Sequence, residues 1–297
     1  MRDWSDWPRR VVPQWAKVLV WLVTDPVYRH VYLTTRRKIR QLRDARRAAT
    51  PLIYNQTGGV VASGPFRGLK YIESWDGSYF SQKLLGTYEK ELYDTIEVIC
   101  RGDYQKVIDI GAAEGYYACG LVHRMPAIRM VAFEADTRYH AALREIASRN
   151  GLSERIEIFG RCEADSLASA LDPRDMCLVI CDAEGAEFDL LDPSIVPRLF
   201  EVDLLVEVHE DVRPGVIATL TNRFAATHTI LPVGHKDRTE ADLPPAITLK
   251  PDLALQAMDE CRGTSADWLW MPRSLVSGPI VSAVSFARFR LRGAERT

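Results

Sequence analysis

Through the middle of the chain, short apolar runs alternate with longer stretches whose apolar residues recur at helical spacing. Val107-Ile108-Asp109-Ile110, Met130 to Phe133, Ile156 to Phe159, Met176 to Cys181 and Val202 to Val208 read as strands, since each is a short apolar run bounded by turn signals. Helical patterns lie from Tyr116 to Met125, closed by Pro126, and from Thr137 to Asn150, capped by Asp136 or Thr137 and closed by Asn150-Gly151. Thr227 to Val233 and Trp268 to Met271 supply two final strands, and the prolines and charges between Gly234 and Pro251 predict a long loop, a candidate lid. Strands and helices that alternate from residue 83 to about 225 predict an α/β domain with a largely parallel sheet covered on both faces.

The N-terminal third has a different pattern. Trp4, Trp7, Val11, Trp15, Val18 and Leu22 fall on one side of a helix that Pro8 and Pro13 interrupt, which predicts two short helices. A basic helix is expected from Arg36 to Arg47, and β-branched residues alternating with glycine and proline from Thr50 to Tyr71 predict a hairpin or flap. Lys83 to Cys100 reads as one helix leading into the first core strand, near enough to the mouth of a site for Lys83, Tyr88 and Glu89 to reach a cofactor. The expected organisation is a helical extension over 1–50, a flap and helix over 51–100, the core over 101–275 and a tail over 276–297.

The stretch from Lys106 to Asp136 carries the first chemistry. Strand, glycine loop, helix, second strand and acid form the signature of a nucleoside-binding unit, and an acid at the tip of the second strand accepts hydrogen bonds from ribose hydroxyls. Glu134 follows Gly111 by 23 residues, close to the usual spacing of about 20. The loop, however, is Gly111-Ala112-Ala113-Glu114-Gly115, without the middle glycine of a dinucleotide site and with an acid where a pyrophosphate would rest on the helix N-terminus. Glu114 disfavours phosphate there but not a sulfonium cofactor with an amino-acid tail. S-adenosylmethionine is therefore the expected ligand, with Asp109, Gly111, Ala112, Gly115, Glu134 and Ala135 around it and Lys83 and Glu89 at the mouth. Glu163 follows the third strand, where a carboxylate can accept the adenine amino hydrogen. Weaker alternatives are an unliganded unit and a dinucleotide oxidoreductase.

Ligands of such sheets bind at the carboxyl ends of the strands. Asp109, Glu134, Asp182, Glu184, Glu207 and His209 all fall there or just beyond. His209 is the natural base for a hydroxyl acceptor, with Glu207 two residues earlier on the same strand face and with Asp182 and Glu184 approaching from the neighbouring strand. Asp182 also belongs to the cofactor edge. The same carboxylates and histidine have the ligand types for a divalent metal, a second mechanism for the same reaction, although their spacing does not specify one.

Charge and cysteine usage narrow the setting. The net charge of −2 divides into a balance of +8 over residues 1–50 and −10 over the rest. An acidic body argues against nucleic acid as substrate; the basic arm suits a helical extension packed on the main domain or on the second subunit of a homodimer, with solvated arginines, or else an anionic membrane surface or a partner protein. No secretory leader or membrane span is expected. The six cysteines contain no C-x-x-C pair, which favours free thiols and a cytoplasmic setting, with peripheral contact at the inner face of the membrane through the arm.

Taken together, VIDIGAAEGYY, VAFEAD, ICDAEGAEFDLL and LLVEVHE resemble the FkbM family of S-adenosylmethionine-dependent methyltransferases over residues 83–235. The resemblance implies a class I methyltransferase fold, Rossmann-like, with seven strands of which one is antiparallel. It also implies O-methylation of a hydroxyl on a sugar, glycan or natural-product acceptor. Gly111, Gly115 and Glu134 carry over as cofactor contacts, and Asp182, Glu184 and His209 as the edge facing the acceptor. Ala113 stands where many members have asparagine. A non-catalytic scaffold of a glycan-assembly complex is the alternative from another class; it has no use for the D-x-E-G-x-E and E-x-H edge.

Overall fold

The computed structural model describes residues 26–72, 79–260 and 266–274. The tryptophan stripe from Trp4 to Leu22, Cys261 and the 276–297 tail lie outside the described residues. The core elements are β1 (Lys106–Ile110), α4 (Tyr116–Arg124), β2 (Arg129–Phe133), α5 (Arg138–Arg149), β3 (Ile156–Phe159), α6 (Ala164–Ala170), β4 (Cys177–Cys181), α7 (Glu187–Leu190), β5 (Asp203–His209), α8 (Val216–Phe224), β6 (Leu231–Val233), α9 (Pro251–Met258) and β7 (Ala266–Met271). They are preceded by α1 (Pro26–Thr57), α2 (Phe80–Leu85) and α3 (Tyr93–Cys100). The strands form one seven-stranded sheet in the order β3-β2-β1-β4-β5-β7-β6. The first five strands are parallel, and β7 runs antiparallel between β5 and β6.

Side chains alternate across each strand, so the sheet carries two cores. Val107, Leu178 and Leu205 face a core shared with α2 to α5, α1 and α9. Ile108, Val179 and Val206 face the other, closed by α6, α7 and α8. The apolar runs read as buried strands because both of their faces are covered. Cys177 and Cys181 are buried core residues of β4, and the five described cysteines are all free. Among the described residues no helix is long and apolar enough to cross a membrane.

Two segments depart from the expected pattern. The flap does not begin after residue 50, because α1 continues through Pro51 to Thr57. Proline removes a helical donor, but Ala49 and Ile53 on either side are fully buried and the Thr50 hydroxyl bonds the Arg46 carbonyl at 2.8 Å and Ser81 Oγ at 3.0 Å. Tertiary packing holds the turn that local propensity disfavours. What remains of the flap is one antiparallel bridge, Val60 to Lys70.

The single helix expected from Lys83 to Cys100 is broken between α2 and α3. Gly86 takes a left-handed φ of +75°, and a Cβ there would meet the Ser63 carbonyl oxygen at 2.0 Å. The chain crosses the 60–72 segment at that point, with Ala62 N–H donating to the Leu84 carbonyl at 2.8 Å. Only glycine tolerates both the approach and the φ. The loop after β6 is fastened as well: Lys90 pairs with Asp242, and Arg238 donates to the Thr87 carbonyl at 2.9 Å.

Gly120 on α4 lies against the face of Phe66, which packs edge-on to Tyr116 and Tyr117 at centroid distances of 5.1 and 5.9 Å. A Cβ on Gly120 would come within 2.5 Å of the Phe66 ring. Gly120→Ala is therefore expected to destabilise the protein by about 1–3 kcal/mol through overpacking, although the same change raises helix propensity. Denaturant melts of the variant check this, and unchanged stability would show that the 60–72 segment is not seated on α4.

Candidate functional site

Strand register builds the site. Ile110, Phe133 and Phe159 lie side by side across β1, β2 and β3, and Ile110, Cys181 and Val206 do so across β1, β4 and β5. The residues that follow, Gly111, Glu134, Asp182 and Glu207, accordingly form one row along the carboxyl edge, with His209 closing β5. The acids and histidine expected at one edge are brought together.

The glycine loop is shaped by backbone demands. Gly111 has φ +86°, and a Cβ there would lie 1.7 Å from the Asp182 carbonyl oxygen. The N–H groups of Gly111 and Ala112 both donate to the Phe133 carbonyl, at 2.9 and 3.0 Å, so the loop folds back over the end of β2. Ala113 also takes a left-handed φ of +45°. Gly115, φ +94°, opens α4 with its Cβ direction blocked by Leu143 at 2.7 Å. Glycine is thus required at 111 and 115 by close packing against Asp182 and Leu143 as well as by the left-handed φ. Glu134 is buried and accepts from Ala113 N–H and Asp136 N–H, both at 2.7 Å, so its carboxylate is held at the tip of β2 beside the loop. Asp109 is buried beneath. Burial, and then the charge of Glu134, push its pKa up to about 7 against the Ala118 N–H and the Lys83 charge. Asp109 Oδ2 has no hydrogen-bond partner among the described residues.

Lys83 and Glu163, both expected near the cofactor, have protein partners of their own. Lys83 is buried and its ammonium pairs with Glu114, over the rings of Tyr88 and Tyr116 at 4.8 and 5.6 Å. Glu114 also accepts from the Tyr71 hydroxyl at 2.5 Å. Burial alone would raise its pKa, but the Lys83 charge and these hydrogen bonds outweigh it and hold the carboxyl below its usual range. Glu114 is therefore not an open negative charge aimed at the ligand, as the sequence suggests, but half of a compensated buried pair. Glu163 caps α6, exposed, with its carboxylate 3.2 Å from Arg161 Nε. Ala112 is buried in the loop and Ala135 is exposed beyond Glu134.

Glu89 occupies the other side of the edge. It is buried with φ +46°, a strained conformation for a non-glycine residue. Its carboxylate accepts from the Tyr117 hydroxyl and from Trp268 Nε1 at 3.3 Å. Trp268 pairs in register with Glu207 across β5 and β7.

His209 is gripped by a residue outside the expected set. Glu187 Oε1 accepts from the His209 backbone N–H at 3.0 Å and lies 3.1 Å from its Nδ1, while Oε2 accepts from Gly185 N–H at 2.8 Å. An ionised carboxylate accepts only, so Nδ1 carries the hydrogen, and in the neutral ring Nε2 presents its lone pair. Nε2 lies 3.6 Å from Asp182 Oδ1 and 3.6 Å from Glu184 Oε2. Burial lowers the pKa of His209, but Glu187, then Glu207 and Glu184, raise it above the usual imidazole value overall. Burial and then the adjoining carboxylates of Glu207, Glu89 and Glu184 push Asp182 well above the carboxylate range. Glu184 is largely exposed, with φ +51°. The third acid of D-x-E-G-x-E was the available sign of Glu187; no sequence pattern pointed to Trp268 or Tyr71.

No protein-family model matches the chain, and no characterised protein matches it in sequence. Among solved structures it is similar to the O-methyltransferase TomG of Streptomyces achromogenes, solved with S-adenosylmethionine. That match has 14% identity and a TM-score of 0.40 and covers 62% of this chain and 79% of TomG. The C-terminal domain of precorrin-6Y C5,15-methyltransferase from Rhodobacter capsulatus matches at 14% identity and TM-score 0.41, over 61% of this chain and 87% of that one. An rRNA methylase from Streptococcus thermophilus matches at 9% identity and TM-score 0.44, over 63% and 98%. The sheet, seven strands with β7 antiparallel between β5 and β6, is that of the class I methyltransferase fold.

The buried pair under the loop gives a direct test. Lys83→Met leaves the Glu114 charge uncompensated and is expected to destabilise the fold by about 3–5 kcal/mol, whereas Lys83→Met with Glu114→Gln recovers most of it. Chemical denaturation of both variants checks the coupling; additive losses would mean that the two residues do not act as a pair.

Proposed function

We propose that the protein is an S-adenosylmethionine-dependent O-methyltransferase of FkbM type, acting on a hydroxyl of a small-molecule, sugar or glycan acceptor. The observation that carries this reading is the imidazole of His209, anchored at Nδ1 by buried Glu187 and presenting Nε2 beside Asp182 and Glu184, with only β4 between its strand and the strand of the Gly111 loop. A methyl on a sulfonium is already activated, so the protein's work is to align the acceptor oxygen and loosen its proton.

In this reading Glu134 accepts from the ribose hydroxyls, Gly111, Ala112 and Gly115 allow close backbone approach, and Ala135 and Glu163 lie on the adenine side. Glu89 and Asp182 line the end nearest the reacting atoms. Lys83 acts through Glu114, keeping the loop in shape. Asp182 and Glu184 grip the acceptor on the His209 side. The Nε2 lone pair works either by taking the hydroxyl proton or by holding a cation that acidifies the hydroxyl, and both need the neutral imidazole. The acidic body and the hydroxyl chemistry favour an acceptor other than nucleic acid. The basic residues of α1 are the part of the chain best suited to a membrane surface, a partner or a second subunit.

Calorimetric titration with S-adenosylhomocysteine tests the cofactor. Saturable binding is expected, weakened about tenfold or more in Glu134→Ala, because hydrogen bonds to an ionised carboxylate are lost. No binding by the intact protein would remove the methyltransferase reading.

The pH profile tests His209. Its pKa is raised in the folded protein, so the charged form stabilises the fold below the unfolded value near 6.5 and that contribution disappears as pH rises through the folded value. Turnover follows the opposite limb, rising above 6.5 as the imidazole becomes neutral. Glu187→Gln removes the group that raises the pKa, and the rising limb should move to lower pH. His209→Ala should reduce turnover by about 10²–10⁴-fold with S-adenosylhomocysteine binding retained. An unmoved limb in Glu187→Gln would remove Glu187 as the residue that positions His209.

A further inference from the structure

We infer that the carboxyl edge binds a divalent cation of the magnesium or manganese type, held by Asp182, Glu207 and His209. The inference deepens the methyltransferase reading and rests on it for its role, though not for its test. One ligand atom from each of the three side chains can be chosen so that all lie within 4.8 Å of one another. Asp182 follows β4 directly, and Glu207 and His209 alternate on β5, so both point to one face. The ligands are therefore mounted on two paired strands of the sheet, which suits a cation that demands fixed geometry.

Two further observations point to a cation. The first is the presentation of the histidine. Metal-bound imidazoles characteristically donate their other N–H to a carboxylate, which fixes the tautomer and raises ligand basicity. Glu187, fully buried, does this to Nδ1 at 3.1 Å and leaves Nε2 as the donor atom. The second is an orphan. Asp182 shares a hydrogen bond with Glu207, but its Oδ1 atom is buried without a hydrogen-bond partner among the described residues, and it is the oxygen that faces Nε2 at 3.6 Å. A buried carboxylate oxygen with no donor is costly; a cation between Oδ1 and Nε2 satisfies both atoms.

The adjoining cluster shows the contrast. Glu91, His235 and Glu260 offer the same donor types. There the guanidinium of Arg238 already lies 2.9 Å from Glu91 and 2.5 Å from Glu260, so that cluster contains its own cation. At the strand edge, two carboxylate oxygens and one imidazole, with no thiolate, suit a hard cation more than zinc.

A cation at this point would lower the pKa of an acceptor hydroxyl bound to it. The O–H bond then breaks with its proton passing to the exposed carboxylate of Glu184 and on to solvent. The freed oxygen pair forms the bond to the methyl carbon as the C–S pair returns to sulfur. His209 stays neutral throughout.

The test is titration of chelator-stripped protein with Mn²⁺, followed by calorimetry and by the electron paramagnetic resonance of free Mn²⁺, with and without S-adenosylhomocysteine. One Mn²⁺ per chain is expected. Asp182→Asn and Glu207→Gln should each weaken it at least about tenfold, and Glu187→Gln about 10- to 100-fold. Circular dichroism confirms that the variants are folded, and S-adenosylhomocysteine binding should persist in Glu207→Gln and Glu187→Gln. Absence of saturable Mn²⁺ binding in the intact protein would overturn the inference, as would equal Mn²⁺ affinity in the intact protein and all three variants. Failure of S-adenosylhomocysteine to bind is a separate result that removes the methyltransferase reading and leaves the Mn²⁺ isotherm to decide the cation site.

Discussion

Strands β1 and β4 approach each other so closely at their carboxyl ends that a single Cβ on Gly111 would sit 1.7 Å from the Asp182 carbonyl oxygen. That contact welds the glycine loop to the acid edge. The glycine loop and the first acid of the edge belong to adjacent, hydrogen-bonded backbones, with Asp182 N–H donating to the Ile110 carbonyl at 2.8 Å. In-line transfer between two bound molecules needs their reacting atoms placed to within about an ångström. Paired strands hold such a distance better than loops do, and the parallel sheet continues the same row to Glu134 on one side and Glu207 on the other.

Buried acids surround this weld, and the way each is compensated separates scaffold from site. Glu114 has Lys83 and Tyr71. Glu187 has the backbone and ring of His209 and the Gly185 N–H. Both stay in their charged form, with their pKa held low, and both shape something else: the loop in one case, the imidazole in the other. Asp109 and Asp182 differ, since each keeps a buried oxygen with no hydrogen-bond partner among the described residues and each has its pKa pushed up. Incomplete satisfaction of a buried carboxylate is uncommon in a folded protein. Here it occurs on both sides of the Gly111–Asp182 contact.

The segments outside the sheet serve to close this edge from above. Glu89 reaches it because α2 and α3 are not one helix: the break at Gly86 and the left-handed Glu89 turn its carboxylate toward Tyr117 and Trp268. Trp268 in turn comes from β7, the strand that reverses direction to pair with β5. A strained residue, an aromatic ring from the far end of the chain and the acid row therefore meet in one place. Backbone strain of this kind persists where surrounding contacts over-determine it, and Glu260 supplies one of them by accepting the Glu89 N–H at 3.0 Å.

What could be read along the chain was whatever repeats at short range. Each core strand, α4 and α5, the carboxyl-edge placement of Asp109, Glu134, Asp182, Glu207 and His209, and the burial of Cys177 and Cys181 all follow from apolar runs, turn residues and caps, whose physics spans a few neighbours. Compensation of charge was not legible there. Lys83 and Glu114 are 31 residues apart, His209 and Glu187 22, and Trp268 and Glu89 179, so their partnerships depend on how the elements stack. Glu114 looked like an open charge, Lys83 looked like a cofactor contact, and Glu187 was one acid among three. The passage of α1 through Pro51 and the break at Gly86 were decided likewise by what packs against them. Hydrophobic periodicity is a property of neighbours in sequence, and it determined the sheet; pairing of buried charges is a property of neighbours in space, and only the tertiary structure decided which acids support the site and which ones form it.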